Sequence, residues 1–231
     1  DSKELYADVW VLSSEKTDAF LTDVDAEGKP LKNNAYGGEQ LPWLKAIYDE
    51  IRDDYPVFWV LARGNDDETS VEWDLLQVNG NFVRLMELKD EQGNLLQPNN
   101  EDKYLFATKD RAEELEKLAM SRDGRAEFLS ESIKAFDTER NLPQNEVVVP
   151  EVIVLEEGSE VLSFHHPIYH ENSYPTGKIN QFSLAVNAKA APSMLEYLCF
   201  YGITEEQRAA LLEDVAHLPY TEQLVWRTYT E

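Results

Sequence analysis

Apolar residues recur at helical spacing along several stretches of the chain. In LPWLKAIYDEIRDD (41–54), Leu44, Ile47 and Ile51 lie three or four positions apart, which predicts a helix with one buried face. Pro42 suits the first turn of that helix. The further stretches complete a predicted set of about five helices: 109–122 with Thr108 as its cap, 125–138, 192–200, and the stretch after the Thr204–Gln207 capping box.

Short apolar or alternating runs between these helices predict strands. VFWVLAR (57–63) is nearly continuous in apolar residues, as a buried strand would be. We expect a hairpin between SVEWDLLQV (70–78) and FVRLMELKD (82–90), because the intervening Asn79 and Gly80 both tolerate positive φ. The other predicted strands are 5–13, 103–107, 160–166, 178–188, 220–229 and 146–155. Pro150 makes the last of these either an edge strand or a broken pair of strands.

The order of these elements predicts the fold class. Strands and helices come in clusters and do not alternate strictly, which favours an α+β fold with largely antiparallel sheet and about five helices packed on one side. We expect a single domain over 1–231, with a subdivision at the polar stretch 141–145 as the alternative. No apolar run approaches the roughly 18 residues of a membrane helix.

The excess of acidic residues limits the possible partners of the protein. The chain carries 45 acidic and 21 basic residues, for a formal net charge of −24. Such a surface repels phosphate backbones and anionic lipids, so we expect neither direct nucleic-acid binding nor membrane binding. It would attract a basic protein partner. Solubility and adaptation to high salt are alternative reasons for the same excess.

Three of the four histidines lie in SFHHPIYHE (163–171), which also contains Glu171. His165 and His166 are adjacent, so on a strand they point to opposite faces. His166 and His170 share a face, but on an extended strand they are about 13 Å apart, too far to bind one metal ion. A short helix opened by Pro167 would bring this pair together. The favoured interpretation is a polar patch at a strand end, with a metal or acid–base site as the alternative.

A second candidate is the acidic stretch NDDETSVEWD (65–74). Glu72 and Asp74 alternate with Trp73 on a predicted strand, which gives one negative sheet face. Asp66 and Asp67 extend the negative charge upstream. We predict that these residues contact a basic partner, and a merely solvated face is the alternative.

The single cysteine, Cys199, excludes an internal disulfide and is compatible with a reducing, cytoplasmic location. It lies in the apolar run SMLEYLCFY, predicted as a helix, where a buried structural thiol is the favoured interpretation. Pairing with His165 or His217 as a nucleophile is the alternative. His217 is predicted in the last turn of its helix, where a positive charge suits the helix dipole.

The sequence favours a non-catalytic, acidic protein-binding module without a cofactor. It would be of the inhibitor, immunity or counter-defence type and would engage a basic or nucleic-acid-handling protein. One alternative is a hydrolase, metal-assisted or not, built on His165, His166, His170 and Glu171. A second alternative is an assembly subunit that associates through its aromatic residues. The sequence leaves the oligomeric state undetermined.

Overall fold

A computed structural model describes residues 2–14, 42–63, 75–120, 150–162, 164, 177–186, 198–218 and 221–229. The helices are α1 (Ser2–Leu5), α2 (Pro42–Ile51), α3 (Gly80–Leu85), α4 (Lys109–Met120) and α5 (Glu205–Asp214). The strands are β1 (Val9–Ser14), β2 (Val57–Phe58), β3 (Val60–Arg63), β4 (Leu75–Val78), β5 (Tyr104–Ala107), β6 (Val152–Val154), β7 (Val161–Leu162), β8 (Lys178–Ile179), β9 (Ser183–Val186), β10 (Leu198–Tyr201) and β11 (Leu224–Thr228).

The chain divides into two compact units. The first unit contains Asp1–Trp59 and Ala190–Glu231, and the second contains Val60–Lys189. The α+β class with antiparallel-rich sheets is confirmed. The single-domain organisation and the placement of the helices on one side stay predictions, and the stretch 141–145 lies outside the described residues.

The first unit is built on a four-stranded antiparallel sheet in the order β11-β1-β10-β2. On α2, Ile47, Tyr48 and Ile51 are buried, which confirms the apolar face read from the helical spacing. The predicted capping box at the start of α5 is also confirmed. The Thr204 hydroxyl accepts the amide proton of Gln207, and the Gln207 side chain accepts that of Thr204.

The second unit is built on a mixed five-stranded sheet in the order β3-β4-β9-β5-β6. The β4–β9 and β5–β6 pairs are parallel, whereas β3–β4 and β9–β5 are antiparallel. β7 and β8 form a separate antiparallel pair. The strand β6 lies at the end of the five-stranded order, which confirms the edge position predicted from Pro150.

Helix α4 packs on the β5–β6 end of this sheet. Its buried residues Ala112 and Leu115 share an apolar cluster with Leu105, and Val152 and Val154 of β6 pack against that cluster. The Thr108 hydroxyl, predicted to cap α4, bonds the peptide group of Phe182 instead, at 3.2 Å to both the nitrogen and the oxygen.

The predicted hairpin at Asn79-Gly80 is wrong. Gly80 begins helix α3, and the Asn79 side chain caps it by accepting the amide proton of Phe82 at 3.1 Å. Asn is favoured both in tight turns and at the N-cap of a helix, so the dipeptide Asn-Gly is compatible with either structure. Gly80 is needed for close packing: a Cβ there would lie 2.5 Å from the Asn99 carbonyl oxygen.

The predicted helix over 192–200 is wrong where the structure describes it, because Leu198–Tyr201 form strand β10. β10 lies between β1 and β2, and Leu198, Cys199 and Phe200 are all buried. A strand buried on both faces has a continuous apolar run, which spacing alone does not distinguish from a buried helix. The predicted strand 57–63 is also divided at Trp59, so that β2 and β3 belong to different sheets.

Candidate functional site

Both candidate sites read from the sequence lie outside the described residues. This applies to His165, His166, His170 and Glu171 in the histidine stretch and to Asp66, Asp67, Glu72, Trp73 and Asp74 in the acidic stretch. Both therefore stay predictions. Within the part of the chain that the structure describes, no three His, Cys, Asp or Glu side chains come together as metal ligands would.

Two further residues considered for chemistry are described, and both have structural roles. Burial raises the pKa of the Cys199 thiol, so the thiolate form that a nucleophile requires is disfavoured. α5 ends at Asp214, so the predicted place of His217 in the last turn of the helix is wrong. His217 lies in the following turn, and its Nε2 is 2.9 Å from the Glu50 Oε1 at the end of α2. The histidine therefore links the ends of two helices.

A groove between α4 and β6 is the site that the described residues support best. We call it the α4–β6 groove, and its volume is about 550 Å³. The residues that line it are Glu91, Lys109, Ala112, Glu113, Leu115, Glu116, Pro150, Glu151, Val152 and Val154. This volume falls in the ~300–1,000 Å³ range of pockets that bind small molecules.

The floor of the groove follows from two periodicities. On α4, positions 109, 112, 113 and 116 are three or four residues apart and therefore share one face of the helix. On β6, Val152 and Val154 are two residues apart and point to the same face of the sheet. Leu115 and Ala112 complete an apolar floor where the helix meets the strand.

The rim of the groove is acidic. Glu91, Glu113, Glu116 and Glu151 are all exposed, against the single ammonium group of Lys109. Among the described residues none of these four carboxylates forms an ion pair, although nearby acids do. Glu114 lies 2.9 Å from the Arg111 Nη1, and Glu160 lies 2.9 Å from the Lys178 Nζ.

A tight turn fixes one end of the groove next to Glu91. The Asp90 carboxylate accepts the backbone amide protons of Gln92 and Asn94 at 3.0 and 2.9 Å. The Asn94 side-chain amide donates to the same carboxylate, and these bonds lower the pKa of Asp90. Gly93 adopts a φ of 81°, which favours glycine in this turn. Glu91 is thus held by a preorganised loop.

The sequence contains one weak signal for this groove, the spacing of Glu113 and Glu116 on α4. Glu113 and Glu116 were hidden among 45 acidic residues, where pairs of carboxylates arise by composition. Their position on the same helix face as Ala112 was predictable from spacing. Their meeting with Pro150, Glu151 and β6 was not predictable, because it depends on the parallel β5–β6 pairing.

The side chains that line the groove can bind cationic and apolar groups. The groove residues supply carboxylates, one ammonium group and apolar surface, without a histidine, cysteine or hydroxyl group. Among the residues that the structure describes, no helix is long and apolar enough to cross a bilayer. No protein-family model, no curated protein and no solved structure matches this chain.

Proposed function

We propose that this protein is a non-catalytic binding module that captures a basic protein through the α4–β6 groove. The observation that supports this proposal is a set of four exposed carboxylates without ion-pair partners in the described part of the chain, set around an apolar floor. An inhibitory role in the cytoplasm, toward a partner that handles nucleic acids, is the biological setting that this chemistry suits.

Electrostatics would act on this binding at two ranges. At long range, the formal net charge of −24 steers a cationic protein toward the surface and raises the association rate at low salt. At short range, the groove concentrates negative potential beside low-dielectric apolar walls. Salt weakens the first effect most, because the Debye length shrinks to about 8 Å at physiological ionic strength.

The apolar floor makes the groove more selective than an acidic surface alone. The half-buried Val152 and Val154 offer most of the apolar surface below the carboxylates, because Ala112 and Leu115 are buried. Arg and Lys side chains suit this combination, because their methylene stems cover apolar atoms while the charged ends reach a rim. A cation without a stem, such as a simple metal ion, would use only the carboxylates.

The proposal is tested by capture from a native lysate with three immobilised forms. These are the natural chain, a groove variant (Glu113→Lys with Glu116→Lys), and a control variant (Glu114→Lys with Glu157→Lys). Both variants change the net charge equally, and neither Glu114 nor Glu157 lines the groove. Proteins are bound at low salt, eluted with a salt gradient and identified.

We expect one stoichiometric basic protein on the natural chain and on the control variant, released at moderate salt and missing from the groove variant. Equal capture of the basic protein by all three forms would show that binding depends on overall charge and that the groove is not the binding site. Only scattered, weakly held proteins on the natural chain would contradict the binding function itself.

A further inference from the structure

Among the described residues, the strand β6 has no further strand on the side away from β5. It pairs with β5 in parallel, with Val152 opposite Leu105 and Val154 opposite Ala107. Beyond the strand, the Leu155 amide donates to the Ala107 carbonyl, so the Leu155 N–H points toward β5. Because backbone groups alternate in direction along a strand, the N–H groups of Val152 and Val154 point away from β5.

The next position in the sheet is occupied only at one end of β6. There Asp90 pairs with Leu155, and the Glu156 amide donates to the Lys89 carbonyl at 2.9 Å. The chain then turns away through the Asp90 loop. Beside Val152–Val154 the described residues place no further strand, so the sheet ends in a short gap that continues the line of Lys89 and Asp90.

This gap and the α4–β6 groove are the same place. The side chains of Val152 and Val154 line the groove together with Glu91 and Glu151, while the N–H groups of the two valines face the gap. A segment bound here would meet backbone hydrogen-bonding groups along one side. Its side chains directed toward α4 would meet Glu113 and Glu116.

We propose that the basic partner inserts an extended segment that adds to the edge of β6 as a further strand. Arg or Lys at every second position would lay their stems over Val152 and Val154 and place their charges at Glu113 and Glu116. This inference rests on the proposed function, and it specifies the conformation and sequence pattern of the ligand. Strand addition supplies affinity through main-chain hydrogen bonds and selectivity through alternate side chains.

Ten-residue peptides with alternating Arg and Val test the mode of binding. One peptide is unmodified, a second is N-methylated at each Val, and a third at each Arg. The three have the same charge and nearly the same side chains. In an added strand, the N–H groups that face β6 belong to alternate residues, so only one of the two methylated sets removes those hydrogen bonds.

We expect the unmodified peptide and one methylated peptide to bind, and the other methylated peptide to bind at least 10-fold more weakly by calorimetry. Hydrogen exchange at the Val152 and Val154 amides should slow at least 10-fold in the complex. The groove variant should lose the unmodified peptide, and the Glu114→Lys, Glu157→Lys control should keep it.

Equal affinity for all three peptides, lost in the groove variant, would overturn strand addition and leave the groove as a site for basic segments. Failure of all three to bind would also overturn strand addition, and the lysate capture would then decide the proposed function separately.

Discussion

Helices α5 and α4 are both rich in acidic residues, but their acids are used differently. At α5, Asp214 accepts the Tyr55 hydroxyl proton at 2.5 Å, and Arg208 stacks 3.7 Å from the Trp10 ring centroid. At α4, Glu113 and Glu116 face the groove without an ion pair among the described residues. Exposed acids without an ion pair occur on both helices, since Glu205, Glu206 and Glu213 of α5 form none among the described residues, so what distinguishes α4 is the apolar groove beside its acids.

The sheets show the same contrast. β10 lies between two strands and buries Leu198, Cys199 and Phe200. Among the strands that the structure describes, β6 pairs with β5 alone, and its Ile153 is 37% exposed. β10 is therefore paired on both sides, whereas β6 is an edge strand of the described sheet.

The largest effect is expected from the central strand. Phe200→Ala should lower the free energy of unfolding by ~3–5 kcal/mol, because Phe200 is fully buried and packs edge-on against Trp226. Ile153→Ala on the edge strand should cost less than about 1 kcal/mol. Urea denaturation measures both. Similar losses at the two positions would remove the contrast between β10 and β6.

Gly80→Ala should cost ~3 kcal/mol, as expected for overpacking against a rigid neighbour. The added Cβ would meet the carbonyl oxygens of Asn99 and Pro98 at 2.5 and 2.8 Å. Thermal or urea denaturation checks this, with Gly158→Ala as a control: Gly158 has a φ of 82° but open space around it. The control should lose about 1 kcal/mol or somewhat more from backbone strain alone.

For the groove, the paired changes Glu113→Lys and Glu116→Lys should weaken a captured basic partner by roughly 30- to 100-fold, equivalent to ~2–3 kcal/mol. The control pair at Glu114 and Glu157 should change affinity less than about 3-fold. Calorimetry at two salt concentrations checks this. An equal loss in both variants would mean that the partner senses only net charge.

Removing the cap of α5 by Thr204→Ala should cost ~1 kcal/mol, because the Gln207 amide loses its acceptor and the reciprocal bond is weakened. Binding at the groove should be unchanged. A loss of affinity without a loss of stability would show that the two helices are not independent in function.

The smallest effect concerns pH. Burial, followed by the hydrogen bond to Asp214, raises the pKa of Tyr55 from 10.0 to about 12. The folded protein therefore holds this proton more tightly than the unfolded chain, so the contribution to stability is complete below pH 10 and is lost as pH rises toward about 12. Tyr55→Phe should flatten the fall in stability over this window, as measured by denaturation at several alkaline pH values.

Where local chemistry decides the structure, the sequence was sufficient. The face of α2, the Thr204 capping box and the edge position of β6 followed from spacing, a cap motif and a proline. The errors at Asn79-Gly80 and at Leu198–Tyr201 arose because the competing structures use the same residues. At Gly80, the close contact with the Asn99 backbone favours the helix. At Leu198–Tyr201, burial between β1 and β2 favours the strand.

The groove was beyond prediction because its two walls are distant in sequence. Glu116 and Glu151 are brought to one rim by the pairing of β5 with β6, which no local pattern encodes. Carboxylates also give no distinctive spacing signal in a chain with 45 acids.

The most direct test of the central claim is to map backbone amide chemical shifts as the alternating Arg–Val peptide is added. We predict that the largest changes fall on Val152, Val154, Glu113 and Glu116, and that they vanish in the groove variant. Changes centred instead on 66–74 or 163–171, or spread over acidic residues throughout the chain, would contradict the assignment of binding to the α4–β6 groove.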